Sequence, residues 1–305
     1  MSDFSDVFEV LGQNKVKSRS SEIELLFSNA IEILMDKLTE DEAYNRQMYG
    51  GNIEKGFHPS GISGQVCPRR LVYLWHEVPK NNVDSIMPRV RRIFDNGSYT
   101  HDRWQFYLSQ LGKHFSNIEL VGDWKCKGCG LSISPDTEIP MPTDFICPDC
   151  KSERIKYNEF RLSYPELRLV GKRDAKFLVD TGTEQFSMLG EIKSINTFAF
   201  KKLYSANNID ISYLKQINFY MLMDGTEDAL FIFEDKNDQN VNFLHVKQDL
   251  SIIQPEIDSL VIANKAIDDA VIPDRLSNYP KNPHCKACGF SKVCELSPSL
   301  EDLLD

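Results

Sequence analysis

Cysteine constrains this chain more than any other residue. Eight cysteines stand at 67, 126, 129, 147, 150, 285, 288 and 294, and they fall into two sets of four. The first residues, MSDFSDVFEV, lack the basic and apolar regions of a secretion signal, so a cytoplasmic location is expected (host cytoplasm for a viral chain). Thiols stay reduced there and disulfides are not expected. Metal sites therefore account for the two quartets better than chance does.

The first quartet reads KCKGCG and ICPDCK, two C-x2-C pairs separated by residues 130–146. Each knuckle puts two sulfurs where tetrahedral Zn²⁺ wants them, and the Gly after Cys129 eases the tight turn. Cys126, Cys129, Cys147 and Cys150 are thus expected to hold Zn²⁺ in a structural ribbon over 124–152. The plain alternative is four unligated surface thiols in a polar insertion. Cys285, Cys288 and Cys294 form C-x2-C-x5-C, one ligand short, and Cys67 is the cysteine left over. Three clustered thiolates and one remote thiolate suit a [4Fe–4S] cluster, with zinc as the rival. Either metal would clasp distant parts of the chain together.

With 305 residues, 41% apolar and 26% charged, the chain is that of a soluble globular protein with one large domain or two smaller ones. No apolar run approaches the ~20 residues of a membrane span, so no membrane partner is expected. The formal net charge is −10, and metal-bound thiolates would carry it further, to about −14. Nucleic acid would have to be gripped by local patches. Candidates are Arg69 and Arg70, then Arg89, Arg91 and Arg92, then Lys201 and Lys202, each of which also reads as an ordinary solvated face.

Apolar spacing predicts helices over 21–38 (capped by Ser20 or Ser21), through CPRRLVYLW (capped by Ser63), and over 89–111, 197–206, 211–223 and 249–269. A strand is predicted at 117–122. Three β-runs follow, IKYNEFRLSY, LRLVGKRDAKFLVD and QFSMLGEIKSI, and later a strand pair, ALFIFED and VNFLHVK, joined by KNDQN. The order predicts an α/β fold, a mixed central sheet flanked by helices, with the ribbon inserted. The expected organisation is an N-terminal helical region over 1–60, a main domain over 61–123 and 153–296, the ribbon over 124–152, and a tail over 297–305.

Within LGEIKSI, Glu191 and Lys193 are two apart in a predicted strand and share a face with Leu189 and Ile195, near a core. A solvated edge ion pair is one reading; a metal carboxylate beside a water-steering ammonium is the other. Asp174 lies in the run just before, so a carboxylate on one strand and an acid–lysine pair on the next can meet at one metal. His101 follows Gly97 by four residues on a helix, and Gln216 and Tyr220 share one face of another. Plain readings also exist: a satisfied helix histidine, a turn aspartate, and surface and core residues of a helix. His58, His76, His114, His245 and His284 are expected to be structural.

Taken in order, G-x3-H, G-x2-D, E-x-K and Q-x3-Y resemble the RecB-type branch of the PD-(D/E)xK nuclease superfamily, whose fold is a restriction-endonuclease-like core. CPRR at 67–70 with CKACGFSKVC at 285–294 resembles the four-cysteine iron–sulfur clasp of AddB nuclease domains and of CRISPR-associated iron–sulfur exonucleases. The resemblance spans about residues 60–296; the ribbon lies outside the common core, and the Walker-type G-x4-G-K-[ST] signature is absent. It implies Mg²⁺ or Mn²⁺ held by His101, Asp174, Glu191 and the backbone carbonyl of Ile192. Lys193 would orient or deprotonate the attacking water or stabilise the pentacovalent state, with Gln216 and Tyr220 completing the catalytic set. The implied function is a metal-dependent DNA exonuclease in recombination, repair or phage-type DNA processing. Alternatives are a nuclease trimming DNA for CRISPR spacer acquisition, and a non-catalytic zinc/iron–sulfur DNA-binding subunit. Implied partners are DNA and a helicase, recombinase or single-strand-binding protein; oligomeric state is not read.

Overall fold

The structure, a computed structural model, describes residues 55–64, 67–81, 87–134, 137–206, 209–286, 288–296 and 300–304, with isolated helical positions at 30, 33, 34 and 37. Apart from those positions, the helix predicted over 21–38 and its Ser20 or Ser21 cap lie outside the described residues. The chain divides into one unit of residues 1–53 with 84–98 and another of 54–83 with 99–305. The second unit holds every candidate catalytic and metal-binding residue named above.

Its sheet is built around β7 (Gln185–Ile195), which carries LGEIKSI. The strand order is β2 (Ile139–Pro140), β1 (Ile118–Cys126), β6 (Ala175–Asp180), β7, β8 (Asp228–Asp235) and β9 (Val241–Lys247), with β3 (Ile155–Asn158) also paired to β1. β7 and β8 run parallel, with Glu191 opposite Phe231; the other pairs of that path are antiparallel. A mixed sheet flanked by helices is therefore what the protein has, as predicted. A parallel neighbour requires a crossover, supplied by α-helices between β7 and β8. The five longest described helices are α1 (Pro68–Trp75), α2 (Pro88–Ser109), α3 (Thr197–Ala206), α4 (Ile211–Asp224) and α5 (Gln254–Asp268).

The period-2 alternation of β7 divides its side chains between two cores. Leu189 joins Phe231 and Phe233 of β8, Phe200 and Leu203 of α3, and Ile217 and Met221 of α4. Ile192 points the other way, into Ala175, Phe177, Ile232 and Leu108. Each such aliphatic or aromatic side chain contributes about 1.5–3 kcal/mol when fully buried. Glu191 lies on the α4 face and is 2% exposed, so it is held inside a core rather than at a solvated edge.

Three local expectations change. IKYNEFRLSY is two strands in different sheets: β3 joins β1, while β4 (Arg161–Tyr164) pairs with β5 (Leu169–Lys172). LRLVGKRDAKFLVD is likewise interrupted, at Arg173 and Asp174, between β5 and β6. Ser63 caps no α1: it ends the short helix Pro59–Ile62 and donates its hydroxyl to the carbonyl of Pro59, while Cys67 occupies the N-cap of α1 without a side-chain cap bond.

Candidate active site

Asp174 occupies the interruption between β5 and β6, where its backbone is free of regular ladder pairing. One carboxylate oxygen accepts the N–H of Ile192 at 2.8 Å. The other lies 3.4 Å from His101 Nδ1, on α2. Glu159, in the turn between β3 and β4, brings its Oε1 within 3.8 Å of the same nitrogen. Gln105, one turn beyond His101, donates to both the Glu159 carboxylate (3.1 Å) and the Asp174 carbonyl (3.0 Å). Ligand atoms of His101, Glu159 and Asp174 all lie within 4.8 Å of one another; Glu191, the other carboxylate expected at the metal, falls outside that group and is paired with Lys193 instead. Two carboxylates and an imidazole so close make a donor set that fits a hard divalent cation. Glu159 escaped the sequence reading because it sits inside an apparently continuous β-run; the one available signal was an acid in the middle of that run.

On β7, Lys193 Nζ lies 2.6 Å from Glu191 Oε1. Gln216 clamps the pair, donating to Glu191 Oε1 at 2.9 Å and accepting from Lys193 at 3.3 Å. Lys193 also sits 5.1 Å from the ring centre of Tyr213. Gln216 thus makes site contacts that a surface residue would not. Tyr220 joins the core instead, and its packing explains the glycine of G-x2-D: a Cβ on Gly171 would come within 2.7 Å of the Tyr220 ring. For Gly97 of G-x3-H, an added Cβ would meet nothing within 4 Å, so steric crowding does not explain that glycine.

Electrostatics bind these groups into one unit. Burial lowers His101, but the carboxylates of Asp174 and Glu159 outweigh it and raise the imidazole to about 11. Burial, then the nearby Asp174 charge, pushes Glu191 up to about 7, against the pull of Lys193. Burial also opposes the charged forms of Asp174 and Lys193, yet their partners win: Asp174 is held low by His101 and Lys193, and Lys193 is held high by Glu191 and Asp174.

The first cysteine quartet closes as its spacing predicts. Cys126 and Cys150 sulfurs are 3.4 Å apart and those of Cys129 and Cys147 are 3.6 Å apart, with all four within 4.8 Å. Four thiolates at the corners of a tetrahedron around Zn²⁺ would be about 3.8 Å apart, given Zn–S bonds of about 2.3 Å. Gly130 sits at φ 80°, the left-handed turn anticipated after Cys129. The second quartet differs. Cys67, Cys285, Cys288 and Cys294 line one cavity with Arg69, Arg70 and Arg275, but their sulfurs are not all within 4.8 Å of one another. Burial and the nearby Cys288 and Cys285 raise the Cys67 thiol, although the backbone N–H of Arg70 opposes the rise. Four thiols around one cavity fit a thiolate-held metal centre, whose negative charge the guanidinium groups would offset.

Two of the predicted basic patches are revised. Arg69 is 6% exposed and donates to the hydroxyl of Tyr73 and the carbonyl of Pro273, so it serves the cysteine cavity. Arg91 is 1% exposed beside Asp95. Arg89, Arg92, Lys201 and Lys202 remain exposed. His284, expected to be structural, lines the cysteine cavity. Among the described residues, no helix is long and apolar enough to cross a membrane.

No protein-family model matches the chain, and no curated protein does. Among solved structures, it is similar to an alkaline exonuclease (LHK-Exo) from Laribacter hongkongensis, with 17% identity, 37% of this chain and 57% of that chain covered, and a TM-score of 0.31. The structure of LHK-Exo in complex with dAMP gives 15% identity, 70% and 89% coverage and a TM-score of 0.40. SSO0001 gives 16% identity, 88% and 96% coverage and a TM-score of 0.35. At so low a similarity, function has to be argued from the site.

Proposed function

We propose that the protein is a metal-dependent deoxyribonuclease of the PD-(D/E)xK type, acting on DNA ends as an exonuclease. One observation carries the reading: Asp174 pairs with His101 beside Glu159 and also accepts the N–H of Ile192, the residue between Glu191 and Lys193, which Gln216 clamps. His101, Asp174, Glu191 and the Ile192 carbonyl, with Glu159 as an addition, would hold Mg²⁺ or Mn²⁺. The cation would neutralise charge on the scissile phosphate and acidify a water. Lys193, held as an ammonium by two carboxylates, suits charge stabilisation and water orientation better than proton abstraction. Gln216 fixes the relative placement of Glu191 and Lys193, and Tyr220 packs against Gly171 of β5, the strand that leads to Asp174. A Zn²⁺ ribbon at Cys126, Cys129, Cys147 and Cys150 and a [4Fe–4S] cluster at Cys67, Cys285, Cys288 and Cys294 complete the proposal as structural metal sites.

The test incubates anaerobically purified protein with Mg²⁺ or Mn²⁺ and end-labelled linear, circular, single- and double-stranded DNA. Cleavage of linear forms is expected. Asp174→Ala, Glu191→Ala and Lys193→Ala should each lose roughly a thousandfold or more in rate while keeping fold and DNA binding, as expected when several kcal/mol of transition-state stabilisation are removed. Near wild-type turnover in Glu191→Ala, or DNA binding without any cleavage by the wild type, would sink the assignment; the latter would favour a non-catalytic DNA-binding subunit.

A further inference from the structure

The residue before Asp174 is the most deeply buried cation beside the site. Arg173 is 1% exposed, and its guanidinium is gripped from two directions, by Asp224 at the end of α4 and by Glu138. Glu138 belongs to the insertion, between Cys129 and Cys147. Lys176 closes the ring, 2.9 Å from Glu138 and 3.0 Å from Asp224. The guanidinium also lies 4.8 Å from the ring centre of Phe160. Arg173 and Asp174 form the gap between β5 and β6, where no regular ladder fixes the backbone. Residue 173 is anchored directly before Asp174 by its backbone N–H, which donates to the Phe160 carbonyl at 3.3 Å, and by the ion pairs of its side chain.

We propose that Glu138 and Arg173 are positioning residues, through which the inserted ribbon sets the cation affinity of the carboxylate centre. The proposal rests on the metal-binding reading of Asp174. A guanidinium buried this deeply needs its carboxylates. With Glu138 in place, Arg173 is pinned between insertion and core, and Asp174 is presented to His101 and Ile192. With Glu138 neutral, Arg173 keeps Asp224, so the fold survives, but the pin is one-sided and Asp174 gains freedom. The insertion would then tune the metal centre without contributing an atom to it.

The measurement is Mn²⁺ binding to the full-length, zinc-loaded protein, read from the electron paramagnetic resonance signal of free Mn²⁺, so that it does not depend on turnover. Glu138→Gln should bind Mn²⁺ roughly tenfold more weakly, the range in which loss of an outer partner of a metal ligand usually falls. Glu153→Gln, an exposed acid just after the insertion, should match the wild type. Arg173→Lys keeps a charge but loses the two-sided fork; it should weaken binding similarly, and it decides the matter if Glu138→Gln does not fold. Wild-type affinity in a folded Glu138→Gln, or equal weakening in Glu153→Gln, would overturn the inference. Failure of the wild type to bind Mn²⁺ at all, with Asp174→Asn indistinguishable from it, would instead overturn the metal-centre reading on which it rests.

Discussion

The two cysteine quartets solve the same problem with opposite means. In the first, cysteines adjacent in sequence meet across two short turns, beside apolar packing of Trp124, Ile133, Ile139 and Met141. In the clasp, Cys67 meets cysteines more than two hundred positions away, but protein contacts already make that junction. Tyr73 of α1 packs on Phe290 with ring centres 5.5 Å apart, in a cluster with Val78. Asn81 accepts from the N–H of Lys292, bonds Ser291 and donates its own N–H to Gly289. Loss of a cysteine should therefore act locally in the first and at a distance along the chain in the second.

That contrast can be broken by experiment, beginning where the effect should be largest. Phe290→Ala should cost about 3–5 kcal/mol of stability, the usual range for deleting a buried aromatic ring, measured by denaturant unfolding. Cys285→Ser should bleach the brown protein expected from anaerobic purification and remove its iron, yet destabilise less than Phe290→Ala. The reverse order would show that the metal, not the apolar junction, holds the clasp. Colourless wild-type protein with two zinc ions and no iron would reassign the second quartet to zinc. Cys126→Ser should release zinc and raise amide exchange locally, from β2 through β3, while β7 keeps its protection. Spread of that exchange into β7 would mean that the ribbon supports the core. The smallest effect on the core is expected from replacing residues 125–152 by a Gly/Ser linker. Cleavage of short single-stranded oligonucleotides should remain measurable, with altered end preference and the weaker Mn²⁺ binding of Glu138→Gln. A folded, iron-loaded deletion that cleaves no substrate would place the ribbon inside the catalytic apparatus.

The residues that were legible in the sequence are those whose chemistry is written in short spacings. The two C-x2-C pairs, the Glu191–Lys193 alternation and the i, i+4 placement of Gln216 and Tyr220 follow from turn, strand and helix periods. The outcome at Tyr220 shows the limit: the helix face was right, but whether a residue on it touches the site or packs on Gly171 depends on the neighbouring strand. Glu159 and Glu138 were scarcely legible, since an acid between strands looks the same whether or not it has a buried partner.

The sequence by itself determined the pairing of cysteines into knuckles, the strand and helix faces that carry the acids, and the order of the elements. Local spacing dictates which side chains share a knuckle, a strand face or a helix face, and that information survives in one dimension. The tertiary structure alone decided which of those faces meet. It broke two apparent β-runs at positions that serve the site, put Arg69 and Arg91 under cover, and joined the insertion to the core through Arg173. A buried charge must find its counter-charge wherever the fold brings one within reach, and sequence distance sets no bound on that search.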